Sequence, residues 1–275
     1  MDRKLRRFFL VMVGLLLGVG AGRAEPVPLI RAHAHNDYEH ARPLFDALDC
    51  GFGSIEADVH LVNGTLLVSH DAKDVKAGRT LEALYLAPLR ERVRANGGRV
   101  YRGGPTIVLL VDVKTEAETT YAALDALLKT YAEMLTRFVD GAVKPGAITV
   151  IVSGNRARAT MAAQGVRYAA LDGRIEDLAV PSGKSSGPEL IPLVSDNWAK
   201  VFGGKWTGPL SPAMAAKLKT LVESAHARGQ IIRFWNTPDT PEVWGALSKA
   251  GVDLINTDRL TELRDFLLAE IKARP

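Results

Sequence analysis

Five of the six histidines, His33, His35, His40, His60 and His70, fall within the first 70 residues, interleaved with Asp37, Glu56, Asp58 and Asp71. Imidazoles titrate near neutrality and can both take and give a proton. Carboxylates set side by side repel one another unless one is protonated or a cation neutralises them. In Ser54-Ile55-Glu56-Ala57-Asp58-Val59-His60 apolar and polar residues alternate, so a strand puts Ile55, Ala57 and Val59 on one face and Glu56 and Asp58 on the other. Leu109 to Lys114 repeats the pattern, setting Val111 and Val113 apart from Asp112 and Lys114. Each feature alone has an ordinary structural reading, Asp112 and Lys114 as a buried ion pair for instance. Three carboxylates on neighbouring strand faces nevertheless call for a counter-charge, and an all-oxygen donor set favours a hard ion, Mg²⁺ or Ca²⁺, over zinc.

The elements that position these residues read as alternating strands and helices. Short β-branched runs recur over residues 28–33, 53–61, 106–113, 147–153, 166–171, 190–194, 230–235 and 252–256. Amphipathic stretches lie between them, over 81–95, 116–138, 156–164, 212–227, 241–249 and 260–273, and the fifth helix, after Leu171, reads as short. The pattern predicts an α/β fold, a (β/α)8 TIM barrel, over residues 25–275 as one domain. No glycine-rich phosphate loop follows the first strand, which argues against an open dinucleotide-binding sheet. Barrel helices cover the apolar outer face, so Glu56, Asp58 and Asp112 face the axis at the strands' C-terminal ends, where such barrels do chemistry. Asn63-Gly64 predicts a hairpin that folds His70 back toward them. A three-residue loop pairing Leu61 with Thr65 is the expected register, because it sets His70 opposite Glu56. Val201, Phe202, Trp206 and Leu210, in a glycine-rich loop, read as an exposed apolar patch or a cover over the barrel mouth.

Arg3 to Arg7 followed by the apolar run Phe8 to Ala21 and Gly22-Arg23-Ala24 reads as an export signal over residues 1–24. The run is shorter than the ~18–20 residues of a spanning helix, so no stable transmembrane anchor is expected. Of 35 basic and 31 acidic residues, this segment holds five and one, so the rest is electrically balanced and a nucleic-acid partner is not indicated. Cys50 is the single cysteine, which precludes an internal disulfide and reads as a buried structural thiol. A periplasmic or secreted monomer is expected.

His33-Ala34-His35-Asn36-Asp37-Tyr38, Gly51 to Val59, His70-Asp71 and Leu110 to Thr115 resemble, in that order, the phospholipase-C-like phosphodiesterase superfamily, which includes glycerophosphodiester phosphodiesterases and sphingomyelinase D. Ile232 to Asn236 and Gly251 to Arg259 are similar to its last two strands. The resemblance implies a TIM barrel in which Glu56, Asp58 and Asp112 ligate a divalent cation. It further implies two catalytic histidines, one on strand one and His70, with Lys114 near the phosphate and Trp235 on the substrate wall. The His-Arg-Gly of the glycerophosphodiesterases is absent, which leaves His33 and His35 as alternatives. His35, closer to the strand's open end, is preferred as catalytic, with His33, Asn36 and Asp37 assigned to substrate binding. The implied reaction is cleavage of a glycerophosphodiester or phospholipid-type ester, by water or by a hydroxyl of the substrate. The expected partner is a small-molecule or lipid-headgroup phosphodiester substrate, and the rival reading is an exported binding or cell-envelope protein that keeps the barrel but has lost catalysis.

Overall fold

The computed structural model describes residues 25–180 and 187–273. The expected export segment, 1–24, lies outside the described residues. Eight parallel strands form the barrel: β1 Leu29–Ala34, β2 Phe52–Val62, β3 Ile107–Val113, β4 Ile148–Gly154, β5 Ala169–Gly173, β6 Leu193–Asn197, β7 Ile231–Trp235 and β8 Ile255–Thr257. They pair in chain order, and β8 pairs with β1 through Ala32↔Ile255 and the two following positions. β7 meets β8 at a single bridge, Arg233↔Leu254, where the Ile232 carbonyl accepts from the Asp253 and Leu254 amides. The (β/α)8 expectation is met, with this narrow seam.

Helices α1 Phe45–Asp49, α2 Ala87–Ala95, α3 Ala117–Lys129, α4 Arg158–Ala163, α5 Trp198–Phe202, α6 Pro212–Ala227, α7 Pro241–Ala250 and α8 Leu260–Ala273 surround the strands. Their ends follow local chemistry. Ser211 Oγ accepts from the Met214 amide with Pro212 opening α6, and Gly251, at φ 87°, closes α7 in the left-handed conformation. Ile55, Ala57, Val59, Val111 and Val113 are buried in the layer between sheet and helices. Inside the barrel Leu110, Ile151, Leu193 and Leu254 form a separate apolar plug. The first three lie two residues before Asp112, Ser153 and Ser195, so the inner face changes from apolar to polar in one step toward the open rim.

Five expectations need correction. The third helix ends at Lys129, not 138, because Asp140-Gly141, both at positive φ, turns Arg137–Val139 back against Ala142–Lys144 in a small antiparallel sheet. Val166–Arg167 joins that sheet, and the fifth barrel strand therefore begins at Ala169. The sixth strand is Leu193–Asn197, starting after Pro192. The hairpin arm Thr65–Val68 pairs Val62 with Thr65 and Leu61 with Leu66. This is a two-residue turn: Asn63 joins Gly64 in the left-handed region, at φ 49° and 79°, a turn whose twist matches the flanking strands. The apolar loop residues after β6 are not an exposed patch either. Trp206 is buried, its ring 4.3 Å from that of Trp198, which stacks on Phe202 at 3.9 Å. Among the described residues no helix is long and apolar enough to cross a membrane.

Candidate active site

The rim of β1 to β3 gathers the carboxylates. Asp58 pairs with Asp112 across β2 and β3, and Glu56 sits one inward position below Asp58. Ligand oxygens of Glu56, Asp58 and Asp112 lie within 4.8 Å of one another. Lys114 Nζ bridges two of them, 2.9 Å from Asp58 Oδ2 and 3.0 Å from Asp112 Oδ2. Tyr38, buried, brings its hydroxyl within 2.8 Å of both Asp58 Oδ2 and Asn36 Oδ1. The second oxygens, Asp58 Oδ1 and Asp112 Oδ1, are buried without a hydrogen-bond partner. Orphaned anionic oxygens of this kind cost free energy unless something positive meets them, so the donor set fits a hard divalent cation. Gly154, at φ 65°, leaves room for this arrangement: a Cβ there would overlap Asp112 Oδ1 and the Val113 carbonyl.

The electrostatics separate the three carboxyls. Burial would raise Glu56, but the Arg233 guanidinium, 3.0 Å away, and a 2.8 Å bond from His33 overcome it and hold the group far below the usual carboxylate range. Asp58 moves the other way, pushed up to about 6 by burial and by the charge of Glu56. Asp112 is raised as well, by burial, against the pull of Lys114.

His35 lines a polar cavity of about 180 Å³ together with Asn36, Glu56, His70, Asp112, Lys114 and Trp235. Its Nδ1 bonds Asp258 Oδ1 at 2.8 Å, which leaves Nε2 as the free ring nitrogen. Burial opposes protonation there, yet the Asp258 bond and the Glu56 charge outweigh it and raise the imidazole above its ordinary value. His70 reaches the same cavity by a route the strand register does not supply. The hairpin arm stops at Val68, Ser69 N donates to Asp58 O, and the chain turns outward with Ser69 Oγ on Asp71 O. His60 is buried with Nε2 3.1 Å from Ser69 O and 3.3 Å from His70 O, so it anchors that turn.

Two of the expected substrate contacts do not line the cavity. His33 is fully buried behind Glu56, with Nδ1 2.7 Å from Ser54 Oγ, and burial beside Arg233 lowers it to about 3. It is neutral and orients the carboxylate. Asp37 is also fully buried, its Oδ2 accepting from Leu44 N at 2.5 Å and Tyr85 Oη at 2.9 Å, so it fixes the loop after β1.

The cavity adds residues not singled out by sequence: Arg233, Arg174, Ser153, Ser195 and, through His35, Asp258. Arg233 is 3% exposed, and its Nε and Nη1 have no partner. Arg174 is pinned by Asp172, whose Oδ2 also accepts from Ser153 and Ser195 at 2.7 and 2.6 Å. The signal for Arg233 was present, since it lies two residues before Trp235 and so shares its inward face.

A closed ring of parallel strands with this acidic, histidine-bearing rim defines the class: barrel phosphodiesterases of the glycerophosphodiester phosphodiesterase and phospholipase-C-like superfamily. The solved glycerophosphodiester phosphodiesterases of Parabacteroides distasonis and Agrobacterium tumefaciens share the fold. Their TM-scores are 0.53 and 0.50 at 15% identity each, over 88% and 86% of this chain and 98% and 97% of theirs. Residues 23–169 match the AIM6-like phosphodiesterase domain and residues 232–261 the Glycerophosphoryl diester phosphodiesterase family. The chain belongs to the AIM6-like phosphodiesterase family. "Altered inheritance of mitochondria protein 6 homolog" of Arthroderma benhamiae is 29% identical over 271 residues, 88% of this chain and 84% of that one. "Altered inheritance of mitochondria protein 6" of Eremothecium gossypii is 29% identical over 283 residues, 89% of this chain and 71% of that one.

Proposed function

We propose that this chain is a divalent-cation-dependent phosphodiesterase acting on a glycerophosphodiester or phospholipid-type ester, exported to a periplasm or beyond. The observation that carries the reading is a cluster of three carboxylates, two with an orphaned oxygen, of which Glu56 and Asp112 line one small polar cavity with His35, His70 and Lys114. Glu56, Asp58 and Asp112 hold Mg²⁺ or Ca²⁺, which when bound neutralises charge on the non-bridging phosphate oxygens. Lys114 and the Arg233 guanidinium, which both line the cavity, supply positive charge that stabilises the pentacovalent transition state. His70 takes the proton of the nucleophile, water or a hydroxyl of the substrate, and His35 gives a proton from Nε2 to the departing alkoxide. With a substrate hydroxyl the product is a cyclic phosphate. Trp235 and Asn36 line the path of the alcohol.

The test is hydrolysis of a chromogenic phosphodiester by the purified chain with Mg²⁺, and its loss on chelation. Turnover that survives exhaustive chelation would remove the cation from the scheme. Two dependences on pH follow. Asp58, raised to about 6, is protonated below that pH and would have to give up its proton to ligate a cation, so calorimetric Mg²⁺ affinity should fall about tenfold per pH unit below ~6 and level off above it. The alkaline limb of kcat/KM belongs to His35 and lies above the pKa of a free imidazole, because Asp258 favours its charged form. Asp258→Asn therefore shifts that limb toward lower pH. A limb that does not move assigns the acid to another group.

A further inference from the structure

A second cavity, of about 610 Å³, is lined by Trp206, Pro209, Leu210, Pro238, Val243 and Ala246. Its walls are the segment between α5 and α6, the loop between β7 and α7 and the first turns of α7, and segments that follow the strands' C-terminal ends lie on the catalytic rim of such barrels. Trp235 lines the polar cavity and Pro238 the apolar one. Only Asn236 and Thr237 lie between them, so their Cα atoms are no more than ~11 Å apart. Asn236, between them, donates from Nδ2 to Asn197 Oδ1 at 3.2 Å and ties the two loops together. The wall is firm: Trp206 is backed by Trp198, which meets Phe234 edge-on at 5.7 Å. The one charged lining residue, Glu242, is exposed and disfavours a second anion here.

We propose that this cavity binds the hydrocarbon chain of a single-chain phosphodiester lipid whose phosphate sits among Glu56, Asp112, Lys114 and Arg233. The proposal rests on the phosphodiesterase reading and narrows its substrate class, from deacylated diesters to lipids carrying one chain. An uncharged chain suits the apolar lining, the volume is that of a site for one small ligand, and the short Trp235 to Pro238 segment lets one molecule occupy both cavities.

The experiment compares the full chain with Mg²⁺ on hexanoyl, octanoyl and decanoyl lysophosphatidylcholine, all below micelle formation, against glycerophosphocholine. Equilibrium dialysis of the same lipids is run in parallel. We expect kcat/KM to rise about fourfold for each methylene that enters the cavity, and Ala246→Trp, which fills it, to abolish that rise. Glycerophosphocholine hydrolysed as well as the decanoyl lipid overturns the proposal and leaves the phosphodiesterase reading intact. If no diester is cleaved, that reading fails, and dialysis decides the cavity alone: chain-length-dependent binding lost in Ala246→Trp supports it, and flat binding overturns it. A dimer that dissociates on Ala246→Trp, with no chain-length dependence, also overturns it, in favour of a second copy as occupant.

Discussion

Replacing His35 by alanine should lower turnover of a phosphodiester by ~10²–10⁴-fold, the usual worth of one positioned acid or base. The geometry makes this loss chemical rather than structural. His35 is partly exposed on the cavity, and its side-chain bond runs to Asp258, itself exposed, so removing the ring leaves no buried group unpaired. Mg²⁺ affinity by calorimetry and the unfolding midpoint should stay close to those of the unmodified chain while kcat falls, and added imidazole should return part of the rate. His70→Ala should lose rate over the same range, and the double variant much less than the product of the two losses, since acid and base act in one step. Full activity in His35→Ala would transfer the role elsewhere. His33→Ala gives no equivalent information, because its ring supports Glu56 from behind.

The second large effect is on stability. Arg233 and Glu56 are 3% and 4% exposed and 3.0 Å apart, and His33 bonds the same Glu56 oxygen. Breaking a buried pair by removing one member typically costs ~3–5 kcal/mol, because the other charge stays behind uncompensated. Arg233→Met should therefore lower the free energy of unfolding by about that amount in chelator at neutral pH. Saturating Mg²⁺ should recover part of it, since the cation takes over the role of counter-charge to Glu56. Inorganic phosphate gives a complementary reading: if the Arg233 guanidinium, which lines the cavity, is the anion's partner, phosphate should raise the unfolding midpoint of the unmodified chain and leave that of Arg233→Met unmoved. A destabilisation below ~1 kcal/mol would mean that water already screens the pair.

Much of the architecture was legible because it follows from period and polarity. The alternation through Glu56 and Asp58 and through Asp112 and Lys114 determined which face each side chain takes, and the register of β2 on β3 then brings them together. What sequence left unread depends on where elements stop. Asn63-Gly64 announced a hairpin, but the preference for a three-residue loop assumed that His70 continues the strand. The arm ends two residues earlier, and His70 reaches the cavity through a turn held by Ser69 and His60. Likewise helical periodicity through residue 138 outweighed the Asp140-Gly141 turn that ends it. His33 and Asp37 looked like substrate contacts because they flank His35. Their burial is set by the packing of β1 on β2 and of the following loop, which spacing along one chain does not encode. Arg233 and Asp258 escaped notice because their partners, Glu56 and His35, lie some two hundred residues away and meet them only across the closed ring.

The narrow junction of β7 with β8 gives that closure a particular character. Elsewhere neighbouring staves share ladders of two to seven registered pairs, but here one pair, Arg233 with Leu254, joins the last stave but one to the last. The side chain of that same arginine crosses the interior to Glu56 on β2, so the ring is laced from within as well as along its edge. Because Arg233 belongs both to this junction and to the lining of the polar cavity, occupancy of that cavity and opening of the junction should be coupled. The amide protons of residues 252–256 become a gauge of it, exchanging with deuterium more slowly whenever an anion engages the guanidinium.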